Sequence, residues 1–163
     1  MDYLLIAFII AVVLSPLAWL KSSPGQARVT AFRKRAGQLG LKVQLVPAPD
    51  ADEADKRPSA VRYCLLYNTA EKERHRIQGA TWILLRDQRR GWDSPWQSWR
   101  WFRHSAEEAL FSRIEALISA IPASVYGIRS DSFGICLYLR ETGDIHQVDD
   151  LAAALKAFLA LQE

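Results

Sequence analysis

Apolar residues run from Tyr3 to Leu20 with only Ser15 and Pro16 as interruptions, and from Lys21 onward the pattern changes to amphipathic segments separated by polar turns. At about 1.5 Å per residue, an 18-residue helix is about 27 Å long, close to the roughly 30 Å apolar core of a bilayer. The run therefore predicts a transmembrane anchor over residues 1–22. Val29, Phe32, Ala36 and Leu39 then recur at helical spacing, with Ser23 as an N-cap, Pro24 in the first turn and Gly40 as a stop, which predicts a basic helix over 23–40.

From residue 41 the period alternates between two and 3.6. Leu41 to Val46, Val61 to Tyr67 and Thr81 to Arg86 alternate as strands, joined by an acidic, proline-bearing loop over 47–58 and a charged connection over 68–79. Ala109, Leu110, Ile114, Leu117, Ile118 and Ile121 share a helical face that starts near Ser105 and stops at Pro122. Ser124 to Arg129 and Phe133 to Arg140 form a hairpin pattern closed through residues 130–132, and Leu151, Leu155, Phe158 and Leu159 give a final helix its apolar stripe. The expected fold class is α+β, an N-terminal transmembrane helix followed by a two-layer antiparallel sheet/helix domain over 41–163 in the order α-β-β-β-α-β-β-α.

Charge then orients the anchor. Lys21, Arg28, Arg33, Lys34 and Arg35 follow the apolar run, and no acidic residue appears until Asp50. Basic flanks stay on the cytoplasmic side, so the expected address is a bacterial inner membrane, single pass, with the N-terminus out and the C-terminal domain cytoplasmic. A cleaved signal peptide fits less well, because no positive residue precedes the run and bulky Leu17, Trp19 and Leu20 occupy the cleavage region. Trp19 belongs to an interfacial aromatic belt in this reading, and the net charge of +3 is mild enough that local clusters matter more than the total.

The least ordinary stretch is Arg89 to His104, with Trp92, Trp96, Trp99 and Trp101 interleaved with Arg100 and Arg103. Indoles and guanidiniums can meet a protein or an anionic-lipid surface, can stack single-stranded bases, or can plug a core with arginines lying over ring faces. Of these, nucleic acid is the least expected partner. The contact residues that emerge are Trp19, Lys21, Arg28, Arg33, Lys34, Arg35, Trp92, Trp96, Trp99, Arg100, Trp101 and Arg103, with the bilayer itself met by residues 3–20.

Catalytic chemistry has no comparable signature. His75, His104 and His146 are scattered, no glycine-rich phosphate loop exists, and Asp50, Asp52, Glu53 and Asp55 lack the glycine and terminal glutamate of a calcium loop. Cys64 and Cys136 sit in apolar runs without metal spacing, which predicts two free, buried thiols. No catalytic residue, metal or cofactor is expected, and an enzyme would require a pocket gathering His104, Asp93 or Cys64.

The stretch Trp19-Leu20-Lys21-Ser22-Ser23-Pro24-Gly25-Gln26, followed by a basic helix and Gly40-Leu41-Lys42-Val43, resembles small single-pass inner-membrane proteins of gammaproteobacteria. Over about the first 40 residues it is also similar to YajC, the accessory subunit of the preprotein translocase. The anchor, the basic helix and the Trp/Arg stretch, with no catalytic motif beside them, point to a non-enzymatic, membrane-anchored cytoplasmic binding or scaffold module; the alternative is an accessory subunit of an inner-membrane machine such as the preprotein translocase, and the resemblance carries over no functional residue.

Overall fold

The computed structural model describes Tyr3, Ile6 and residues 24–51, 54, 56–78, 81–86 and 90–160. The chain divides into two compact units, residues 1–31 and 32–163. Their boundary falls inside helix α1, Pro24–Gln38. In the first unit residues 25–28 are exposed, Arg28 among them, and the Thr30 hydroxyl donates to the Gln26 carbonyl at 2.9 Å.

The expected transmembrane helix is corrected. Among the described residues no helix is long and apolar enough to cross a membrane. Of the run from 3 to 20 only Tyr3 and Ile6 are described, so the rest of that expectation, with Trp19 and Lys21, lies outside the described residues. The helix that is described, α1, has four cations in fifteen residues, too polar for a hydrocarbon environment. The single-pass inner-membrane address and its orientation lose their support with it.

The second unit is built on one seven-stranded antiparallel sheet. Its strands are β1 (Lys42–Val46), β2 (Ala60–Leu66), β3 (Trp82–Arg86), β4 (Trp92–Asp93), β5 (Trp99–Trp101), β6 (Val125–Asp131) and β7 (Gly134–Leu139), in spatial order β1-β2-β7-β6-β3-β5-β4. Helices α2 (Thr69–Gln78), α3 (Phe111–Ala120) and α4 (Gln147–Ala160) complete it, with a short 3₁₀ turn at Glu108–Leu110 before α3. Spatial order departs from chain order: β7 pairs with β2, and β3 pairs with β6.

Three departures from the expected order have local causes. The charged connection is helix α2, started by a reciprocal cap in which the Glu71 amide donates to Asn68 Oδ1 and the Asn68 amide donates to a Glu71 carboxylate oxygen. The Trp/Arg stretch folds into the β4–β5 pair at the sheet edge. The helix expected from Ser105 begins later, at Phe111.

Other signals act where they stand. Gly40 takes φ +84°, and the Leu41 amide donates to the Ala36 carbonyl while Gly40 donates to Gly37, a Schellman end to α1. A register shift between Val125 and Gly127 leaves Tyr126 as the extra residue, so Val125 and Ile128 face the same side despite their odd spacing.

Strand alternation sorts the sheet into two faces. On one, Val43, Tyr63, Leu137, Ile128, Leu84, Trp101 and Trp92 are successive cross-strand partners across all seven strands. Most of this row belongs to a core shared with Phe32, Ala36, Ile114, Leu117, Leu151, Leu155 and Phe158 from α1, α3 and α4. The neighbouring row on the opposite face reads Gln44, Arg62, Tyr138, Gly127, Leu85, Arg100, Asp93. A Cβ on Gly127 would lie 2.9 Å from Leu85 Cδ2 and 3.1 Å from Tyr138 Cδ2, so these two side chains pack closely over the glycine and a larger residue would have to push them aside.

Candidate functional site

The opposite face carries no helix from the core cluster. It is crossed by the loop after β1. The Ser59 hydroxyl accepts from the Ala48 amide at 3.1 Å, Arg103 Nη2 donates to the Ala51 carbonyl at 3.2 Å, and Arg90 Nη1 donates to the Asp50 carbonyl at 3.3 Å. Two arginines of the Trp/Arg stretch thus hold a loop that leaves the sheet at its far edge. Burial raises the Tyr126 phenol above its ordinary pKa, with the negative charge of Asp50 contributing, as expected for a loop drawn over this face.

Between loop and sheet lies a cleft of about 350 Å³. Its floor is Val46, Ile83 and Tyr138, its roof Pro47 to Pro49 and Ala51, and its charged groups are Lys56, Arg62, Arg103 and Arg129. No carboxylate lines it among the described residues. Arg62 is aimed by its Nε donating to Gln44 Oε1 at 2.9 Å, and Arg129 by its Nε donating to Asp131 Oδ2 at 3.0 Å. Each guanidinium therefore keeps donors beyond those that orient it.

Arg103 is placed by an unusual backbone. Phe102 donates to the Ile83 carbonyl, Ile83 donates back to the His104 carbonyl, and Arg103 bulges out between them at φ +65°. A side chain in the left-handed region costs on the order of 1 kcal/mol, a cost that persists where surrounding structure holds the residue in place.

The expected contact residues separate into distinct roles. Trp99 and Trp101 are core residues, 4% and 3% exposed, and Trp96 packs edge-on against Trp101 and Phe111. Arg86 lies over the Trp99 ring at 4.7 Å. Trp92 is 46% exposed at the sheet edge, where Arg100 pairs with Asp93 at 2.9 Å. Arg33 grips Glu141 with two hydrogen bonds of 2.8 and 2.7 Å, Arg35 pairs with Asp149, and Lys34 is exposed. Of the described members of this set, only Arg103 lines the cleft. Lys56, Arg62 and Arg129 carry no local signal of the cleft, because nothing in the neighbouring sequence distinguishes a loop or strand cation facing a cleft from one facing water; for Arg62 and Arg129 the available signal was strand alternation, which puts each on the opposite face from the core residues Tyr63 and Ile128.

Buried ionisable groups elsewhere serve the fold. Burial pushes Glu141 up, but hydrogen bonds from Arg33 and Tyr63, with the Arg33 charge, outweigh it and hold the carboxyl below its ordinary value. The Tyr63 phenol, desolvated and donating to Glu141 at 2.7 Å, is raised well above its own.

The expected pair of free thiols is also corrected: Cys64 and Cys136 form a disulfide. They are direct cross-strand partners on β2 and β7 with Cα atoms 4.0 Å apart, a pairing that a sequence separation of 72 hides from the sequence. His104 and Asp93 line neither the basic cleft nor the cleft beside the disulfide. Among the described residues no three His, Cys, Asp or Glu side chains group as metal ligands. No protein-family model, no curated protein and no solved structure matches this chain.

Proposed function

We propose that the second unit is a binding module, without catalysis of its own, that takes a compact polyanion of the phosphate or carboxylate type in the basic cleft. The observation that carries this reading is four cations converging on one cleft that no carboxylate lines among the described residues. Cations crowded this way repel one another unless a counter-charge joins them, and guanidiniums suit planar or tetrahedral oxyanions. The volume fits a small molecule rather than a nucleic-acid strand, and Tyr138, 2% exposed, offers no ring face for base stacking.

Calorimetric titration of the full chain with inorganic pyrophosphate at low salt tests the reading. Binding is expected in the micromolar to millimolar range, weakened about tenfold by Arg62→Gln and severalfold by Lys56→Gln. No heat up to about 10 mM pyrophosphate, or equal binding by both variants, rejects it.

A further inference from the structure

A second row on the same sheet face points to chemistry that the basic cleft does not use. Lys42, Cys64, Cys136 and Arg129 are successive cross-strand partners on β1, β2, β7 and β6, so the disulfide has a cation beside each sulfur-bearing residue. Direct partners on one face of antiparallel strands hold their Cβ atoms about 4.5–5.5 Å apart, within reach of charge. We infer that Cys64–Cys136 is a redox-active disulfide that exchanges with small anionic thiols.

Access is through an adjoining cleft of about 360 Å³ that both cysteines line, with Lys42 and Lys72 as its own cations and Arg62 shared with the basic cleft. The one carboxylate that lines it among the described residues, Asp131, is engaged by Arg129. Cys64 and Cys136 are only 2% and 4% exposed, so they form the floor of the cleft. A protein dithiol is too bulky to bring its sulfur there, whereas a small thiol fits. The anionic group of such a thiol meets the cations while its sulfur reaches the floor.

The exchange balances without another reagent. A small-molecule thiolate attacks one cysteine sulfur, and the S–S electron pair leaves on the other as a thiolate, giving a mixed disulfide. A second thiolate attacks the small-molecule sulfur of that mixed disulfide, releasing the small-molecule disulfide and the second cysteine thiolate. Two electrons pass from two thiols into the protein. Lys42 and Arg129 stabilise the departing thiolates, which speeds each step, since a lower thiol pKa makes a better leaving group.

The test follows reduction of the oxidised full chain by alkylation and mass spectrometry. It compares 2-mercaptoethanesulfonate with neutral 2-mercaptoethanol at equal thiolate concentration. The anionic thiol is expected to react about tenfold faster at low salt, with the advantage shrinking at high ionic strength. The double substitution Lys42→Gln with Lys72→Gln, both exposed positions, should abolish that preference while circular dichroism stays unchanged. Equal rates in the parent protein, a preference that survives the double substitution, or a disulfide that opens only in denaturant would each overturn the proposal.

Discussion

The two faces of the sheet share strands, register and twist, yet adjacent cross-strand rows differ in kind. The row from Val43 through Tyr63, Leu137, Ile128, Leu84 and Trp101 to Trp92 is apolar or aromatic throughout, and α1, α3 and α4 contribute to the core it joins. The row from Gln44 through Arg62, Tyr138 and Arg100 to Asp93 carries charge at three of seven positions. A proline-bearing loop crosses this face, and Arg90 and Arg103 donate hydrogen bonds to its backbone carbonyls. One face is closed by burying apolar area; on the other, charged side chains line a cleft beneath a loop. The first carries the core and the second the proposed ligand site, and substitutions on each should separate stability from binding.

The largest expected effect is on the helix-covered face. Trp82→Ala removes a side chain 1% exposed that meets Trp101 and Phe158 edge-on. It should cost about 3–5 kcal/mol in denaturant unfolding. A loss below about 1 kcal/mol would mean that this face is not the principal core.

Next comes the tie between α1 and the segment after β7. Arg33→Ala removes both guanidinium hydrogen bonds to Glu141, leaving that carboxylate the Tyr63 hydroxyl as donor, and should cost about 1–2 kcal/mol, the lower end reflecting a part-exposed guanidinium. The sign of the pH dependence follows from Glu141. Its folded pKa lies below the ordinary 4.5, so its contribution is present above about pH 4.5 and is lost as pH falls through the folded value. Parent and variant unfolding curves should therefore converge in acid; a difference that persists unchanged there would remove Glu141 from the account.

Arg103→Gly sharpens the contrast from the other face. Relief at φ +65° offsets the lost bond to Ala51, so stability should change by less than about 0.5 kcal/mol while pyrophosphate binding falls severalfold. Lost stability with unchanged binding would reassign Arg103 to holding the loop alone. The smallest effect belongs to Trp92→Ala, an exposed edge residue expected to stay within about 0.5 kcal/mol. A larger loss would show that the edge strand depends on it.

How much of this was legible in the chain depends on whether the deciding signal was local. The Gly40 stop, the β6–β7 hairpin and the apolar stripe of α4 follow from turn chemistry and periodicity, which act within a few residues. Helix α2 was legible too, in the Asn68 and Glu71 cap, but its charged sequence masked the signal. The tryptophan cluster was conspicuous and misleading: three of its four rings pack inward, because large aromatic area is cheapest to satisfy in a core. The cleft cations were invisible, since Lys56, Arg62, Arg103 and Arg129 come from a loop, two strands and a bulge far apart in the chain.

By itself, then, the sequence determined the local conformations: which segments alternate, which wind, and where glycine and capping residues end them. Tertiary structure alone decided that β7 lies between β2 and β6, that Cys64 meets Cys136, and that four scattered cations share one cleft. The reason is physical. Backbone propensity acts over a few residues, whereas strand order and register are set by burying one face of the whole sheet, and every residue on the other face is carried to its place by that choice.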